Sequence, residues 1–183
     1  MKTSQFWLIY LMPILSVFQG YYTLNIYKAY GYTKDVLADD FFITKVGSIS
    51  AFMGAMRFFW SALMDCHSFK RVYGVMLVAQ TVLGATIDLA ARTRPTFAIW
   101  LALMVFLEGA HFVVVPNALR QLYKEAAPSI YGVVFSFTGF SNLIIIGVVQ
   151  SEFGKNHALV YMLSAGLSAV ALCLLIFCFK EVH

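Results

Sequence analysis

Charge is what this sequence holds least of. Of its 183 residues, 13 are Lys or Arg and 9 are Asp or Glu, so 12% are charged while 61% are hydrophobic; an average soluble domain carries about 25% charged residues. The basic residues leave a formal net charge of +4 but form no run that tracks a phosphate backbone, which argues against nucleic acid as a partner. Cysteine is sparse as well. Cys66, Cys173 and Cys178 make an odd count, two of them inside one apolar block, so neither a disulfide framework nor a metal site is expected. Cys66 beside His67 reads as a plain loop cysteine. No G-x-S-x-G, P-loop or H-E-x-x-H pattern occurs, and the reading is of a non-enzyme without a cofactor. A single Lys precedes the first apolar stretch, which runs too long for a signal peptide and lacks a small-residue cleavage site; that stretch is expected to be retained.

What is present is apolar sequence in six blocks: Phe6 to Tyr27, Phe41 to Met64, Val72 to Leu89, Phe97 to Leu119, Ile130 to Val149 and Ala158 to Phe179. Each is close to the roughly 20 residues that a helix needs to cross the hydrocarbon of a bilayer. Strands do not fit, because an open sheet in lipid leaves backbone groups unpaired and a barrel would alternate in polarity. The expected fold is all-α, an integral-membrane bundle of six helices forming one domain over residues 1–183, with the lipid bilayer as its first partner. Six spans place both termini on one side. Lys2, Lys70, Arg71, Arg120, Lys124 and Lys180 fall there, against Lys28, Lys34, Arg92, Arg94 and Lys155 on the other side, and six against five sets no orientation. Gly47, Ala51 and Ala55, Gly132, Gly139 and Gly147, and Ser164 and Ser168 are placed where helices touch. Pro13 and Pro116 are expected to kink their helices.

Charge inside a span is the most informative feature, since an ionised side chain near the bilayer centre costs at least about 2.5 kcal/mol. Lys45 and Asp88 lie near span ends, where snorkelling brings them to water. Arg57 and Glu108 stand two turns or more from the nearest end and are expected to face the bundle interior. They read either as a buried salt bridge that orients the second and fourth helices or as a substrate site built around the arginine. Glu108 and His111 also make an E-x-x-H, the spacing of di-iron bundles, but such a centre needs that motif twice plus two more carboxylates. Only one copy exists, so His111 is assigned to a polar face beside Arg57.

The stretch Arg57-Phe-Phe-Trp-Ser-Ala-Leu-Met-Asp65-Cys-His-Ser-Phe-Lys70-Arg71 resembles the eighth helix and signature loop of the major facilitator superfamily, and more narrowly its oxalate/formate and monocarboxylate transporter branch. The segment from Glu108 to Pro116, followed by Tyr131 and Gly132, is similar to the tenth helix and the start of the eleventh. The resemblance implies helices seven to twelve of a twelve-helix carrier, with Arg57, Glu108 and His111 as substrate-binding residues for a carboxylate and Asp65, Lys70 and Arg71 as a gating loop on the cytoplasmic side. The departures are plain. Ser61, Cys66 and Ser68 stand where the family has glycine, arginine and glycine, and the eleventh-helix lysine of oxalate-type carriers is missing from Ile130 to Val149.

Two functions follow. In the first, a degenerate, transporter-like half serves as a structural accessory subunit of a larger membrane complex, for instance in the mitochondrial inner membrane, with the plasma membrane as the alternative location. In the second, it is one half of a secondary transporter for small organic anions, working as a homodimer or with a separate N-terminal half.

Overall fold

The computed structural model describes residues 2–180, and all side chains in that range except those of Lys2, Thr3 and Phe153. The ends of the expected 1–183 domain, and the Lys2 side chain counted above, lie outside it. Only helices and turns occur among the described residues. They are α1 (Lys2–Tyr32), α2 (Asp40–Ala55), α3 (Arg57–Cys66), α4 (Phe69–Ala85), α5 (Ile87–Ala90), α6 (Arg94–Tyr123), α7 (Ala127–Val134), α8 (Ser136–Gln150) and α9 (His157–Phe177). The pairs α2/α3, α4/α5 and α7/α8 each continue one rod across a one-residue break, so the six apolar blocks become six rods.

Local chemistry sets most of the helix starts. Asp39 accepts a hydrogen bond from the Phe42 N–H at 3.2 Å, and Asn156 accepts one from the Leu159 N–H at 3.2 Å. Thr93 takes the corresponding place before α6, with Pro95 in the first turn where its missing N–H costs nothing. Neither Pro13 nor Pro116 ends its helix: α1 and α6 run through them. The interruptions fall instead at Met56, Thr86 and Phe135.

The break at Thr86 has a visible cause. It leaves the Leu83 carbonyl to accept from the Thr86 N–H at 3.1 Å and from the Trp100 indole N–H of α6 at 2.8 Å. The Thr86 hydroxyl reaches the same carbonyl at 3.2 Å, so a distant side chain joins local donors at the break.

The rods pack as two corresponding sets of three. The first packs on the fifth as the fourth packs on the second, and the first packs on the sixth as the fourth packs on the third. The first and fourth also meet each other, as do the third and sixth. At the crossings glycine allows close approach. A Cβ on Gly109 of α6 would sit 2.5 Å from the Gly54 carbonyl oxygen of α2, and one on Gly20 of α1 would collide with the Glu108 side chain. The expected small-residue seams hold only in part. Gly47 lies against Tyr27 and Ser164 and Ser168 are buried, whereas Ala51 and Ala55 are exposed and a Cβ on Gly132, Gly139 or Gly147 would meet nothing within 4 Å. Those positions face outward.

Large apolar side chains lie on the outside, and a few polar ones lie within the apolar core. Phe52, Phe58, Val75, Leu143 and Phe177 are 67–81% exposed, while Ser16, Gln19, Gln80, His111 and Ser168 are fully buried. An apolar exterior of this extent marks a surface that meets lipid or protein. The helical stretch 94–150 and α9 are long and apolar enough to cross a membrane. Of the other rods, the second and third are cut into helices of 16 and 10 and of 17 and 4 residues, each short of the roughly 20 that cross the hydrocarbon. In α1, Tyr, Trp and Gln dilute the apolar character.

At one end, charged contacts stitch the turns. Lys34 Nζ lies 3.2 Å from Asp88, and Arg94 Nη1 lies 3.1 Å from Asp39. Tyr32 donates to Asp40 at 2.7 Å, a bond that holds the Tyr32 hydroxyl above its ordinary pKa because losing the proton would break it.

Candidate functional site

The central polar side chains come from α1, α4, α6 and α9. On α1, Ser16, Gln19 and Thr23 recur at helical spacing and form one stripe, all of it buried. Ser16 Oγ lies 2.8 Å from His111 Nε2 and 3.0 Å from the Tyr73 hydroxyl, and it also reaches the Met12 carbonyl at 3.0 Å. The His111 ring is gripped on its other side: Nδ1 lies 3.4 Å from the Glu108 carbonyl and 3.8 Å from Glu108 Oε2. Tyr73 meets the ring edge to face, with centroids 6.0 Å apart. Further along, Gln19 Nε2 donates to the Gln80 carbonyl at 2.9 Å, and Ser168 donates to Gln19 Oε1 at 3.3 Å. The network ties four rods together.

Glu108 sits at its edge. It is 3% exposed, its side chain lies against Gly20, and neither carboxylate oxygen has a hydrogen-bond partner. A glutamine there has the same shape and loses no bond. Glu108→Gln is therefore expected to leave folding stability unchanged or to raise it by about 1 kcal/mol, measured as the thermal unfolding midpoint in detergent; a fall of several degrees would mean that the carboxylate has a partner.

Arg57 is not where the sequence places it. It is the first residue of α3, it is exposed, and it makes neither an ion pair nor a hydrogen bond among the described residues. Its guanidinium lies 4.7 Å from the centroid of the Phe112 ring of α6, a cation–π contact. The expected salt bridge between Arg57 and Glu108 does not form: the acid is sealed within the crossing of α1 and α6, while the arginine stays on the surface. The three residues assigned to a substrate site thus divide, with Glu108 and His111 enclosed and Arg57 outside.

The gating loop also takes another form. Asp65 belongs to the last turn of α3, and Lys70 and Arg71 to the first turn of α4, so only His67 and Ser68 separate the helices. Lys70 Nζ donates to the Ile176 carbonyl at 2.8 Å and to the Phe179 carbonyl at 3.2 Å, capping the C-terminal end of α9 where the helix dipole favours a cation. Asp65 and Arg71 are exposed and make no ion pair among the described residues. Lys45 lies over the Phe41 ring at 4.5 Å, and Asp88 accepts from Tyr30 at 3.1 Å beside its Lys34 partner.

The sequence reasoning missed Ser16, Gln19, Tyr73 and Gln80. For Ser16 and Gln19 the signal is the Ser16–Gln19–Thr23 stripe inside an otherwise apolar block; Tyr73 and Gln80 stand alone in α4 and carry no such pattern. No family model and no curated protein matches the chain.

Proposed function

We propose that the chain is a membrane-embedded accessory subunit of a larger membrane complex, built on a transporter-like six-helix unit that no longer works as a carrier. The observation that carries this reading is the division of the polar residues. A carrier turns its binding groups toward a shared cavity; here Glu108 and His111 are spent inside a packed crossing, and Lys70 is spent as a helix cap. The two corresponding sets of three rods fit the inverted 3+3 repeat within each half of a major-facilitator carrier. The apolar exterior fits a lipid environment with other membrane subunits as partners, and an energy-converting assembly of the mitochondrial inner membrane is the location we favour.

Mild-detergent extraction followed by native electrophoresis and mass spectrometry tests the reading. The chain is expected to migrate in a large, stoichiometric assembly, and migration as a monomer would refute it. Arg57 supports a second reading, in which its free guanidinium binds a small organic anion between this unit and a second half. Uptake of labelled carboxylates by reconstituted vesicles, abolished in Arg57→Ala, would establish that reading in place of the first.

A further inference from the structure

Arg57 carries one more inference, which rests on the accessory-subunit reading. The residue stands nine positions before Cys66 at the end of its rod and seventeen after Asp40 at the start, or roughly 14 Å and roughly 25 Å along the axis at 1.5 Å per residue. Side chains on a helix lean toward its N-terminus, so this one leans toward the farther end. Around it the surface is apolar: Phe52, Phe58 and Phe59 are all exposed on the same rod. A guanidinium held at that depth against lipid costs several kcal/mol unless an anion meets it, and the Phe112 ring alone is a weak counterpart.

A second copy of this chain does not supply that anion. The exposed carboxylates among the described residues are Asp35, Asp40, Asp65, Asp88, Glu125 and Glu152, and each lies in a turn or near a helix end. Asp65, on the same rod, stands eight residues away, roughly 12 Å along the axis. The one mid-rod carboxylate, Glu108, is buried. Copies inserted in the same orientation would therefore offer Arg57 no acid at its own depth.

We propose that Arg57 is a docking charge for an aspartate or glutamate in a membrane helix of a different subunit. That helix would lie along α3, with its carboxylate on the guanidinium and its apolar side chains on Phe58 and Phe59.

The test places a photo-crosslinking amino acid at Phe58, beside Arg57, and as a control at Val75 on α4, in the full chain expressed in its native membrane. Cross-linked peptides are then sequenced by mass spectrometry. From Phe58 the label should enter a membrane helix of another protein within one turn of an Asp or Glu. Arg57→Gln should lower that yield roughly tenfold or more, while Arg57→Lys, which keeps the charge, should retain most of it. Exchanging the charges, Arg57→Glu here and the acid to Arg in the partner, should restore the cross-link. Labelling of lipid alone, of a second copy of this chain, or of a helix without an acid would overturn the proposal, as would an unchanged yield in Arg57→Gln. If the large assembly persists in any of those cases, the accessory reading stands and only the docking role falls; if the wild-type chain is a monomer, both fall.

Discussion

Gly109→Val is expected to separate α2 from α6 and to lower stability by about 3 kcal/mol. The clash is with backbone. A Cβ at position 109 meets the Gly54 oxygen at 2.5 Å and its carbonyl carbon at 3.4 Å, and neither atom can rotate away as a side chain would. The facing residue is equally confined, since a Cβ on Gly54 would lie 2.8 Å from Val105 Cγ1 and 3.3 Å from the Val105 oxygen. The two rods therefore touch glycine to glycine, and the approach admits no methyl group from either side. Gly139→Val is the matched control, because nothing lies within 4 Å of its Cβ position. Thermal unfolding in detergent should show a lowered midpoint for the first variant and an unchanged one for the second; equal midpoints would contradict the close approach.

The same crossing shows how far the sequence could be read. Block lengths and hydropathy lead to helices in each of the six places, while the side chains that cap three of them, Asp39, Thr93 and Asn156, emerge from the structure. The interruptions at Met56, Thr86 and Phe135 are not legible in block lengths or hydropathy. At the Thr86 break the Trp100 indole N–H reaches the Leu83 carbonyl, a contact that the sequence of α4 alone does not announce. Proline does not mark the breaks: α1 and α6 continue through Pro13 and Pro116.

Arg57 failed for a related reason. Its distance from the ends of its apolar block points to the interior, and its neighbours at helical spacing, Trp60 and Met64, are indeed buried. The structure places it instead immediately after the break at Met56, over the Phe112 ring at the surface. The apolar block starts at Val72, which leaves Lys70 and Arg71 in the loop, yet α4 begins at Phe69. A helix can extend past its apolar block when a basic side chain finds carbonyls to cap, as Lys70 does at the end of α9.

His111→Ala should be the most damaging change at the polar centre, at about 3–4 kcal/mol. Two costs add. The imidazole is fully buried, so its removal leaves a void of the kind that makes large-to-small core changes cost about 2–5 kcal/mol. Its loss also takes a hydrogen-bond partner from Ser16, the residue that joins α1 to Tyr73 of α4 and to α6; leaving a buried polar group short of a partner adds about 1–3 kcal/mol. The two costs overlap when neighbours relax, which places the expected value below their sum. His111→Gln, which can still reach the Ser16 hydroxyl, should recover part of the loss, and Ser16→Ala in the His111→Ala background should cost less than Ser16→Ala alone, because the shared bond is already gone. A double-mutant cycle on unfolding free energies measures that coupling. A coupling near zero would show that Ser16 and His111 do not act as a unit, and the joint they form between α1, α4 and α6 would have to be sought in apolar packing alone.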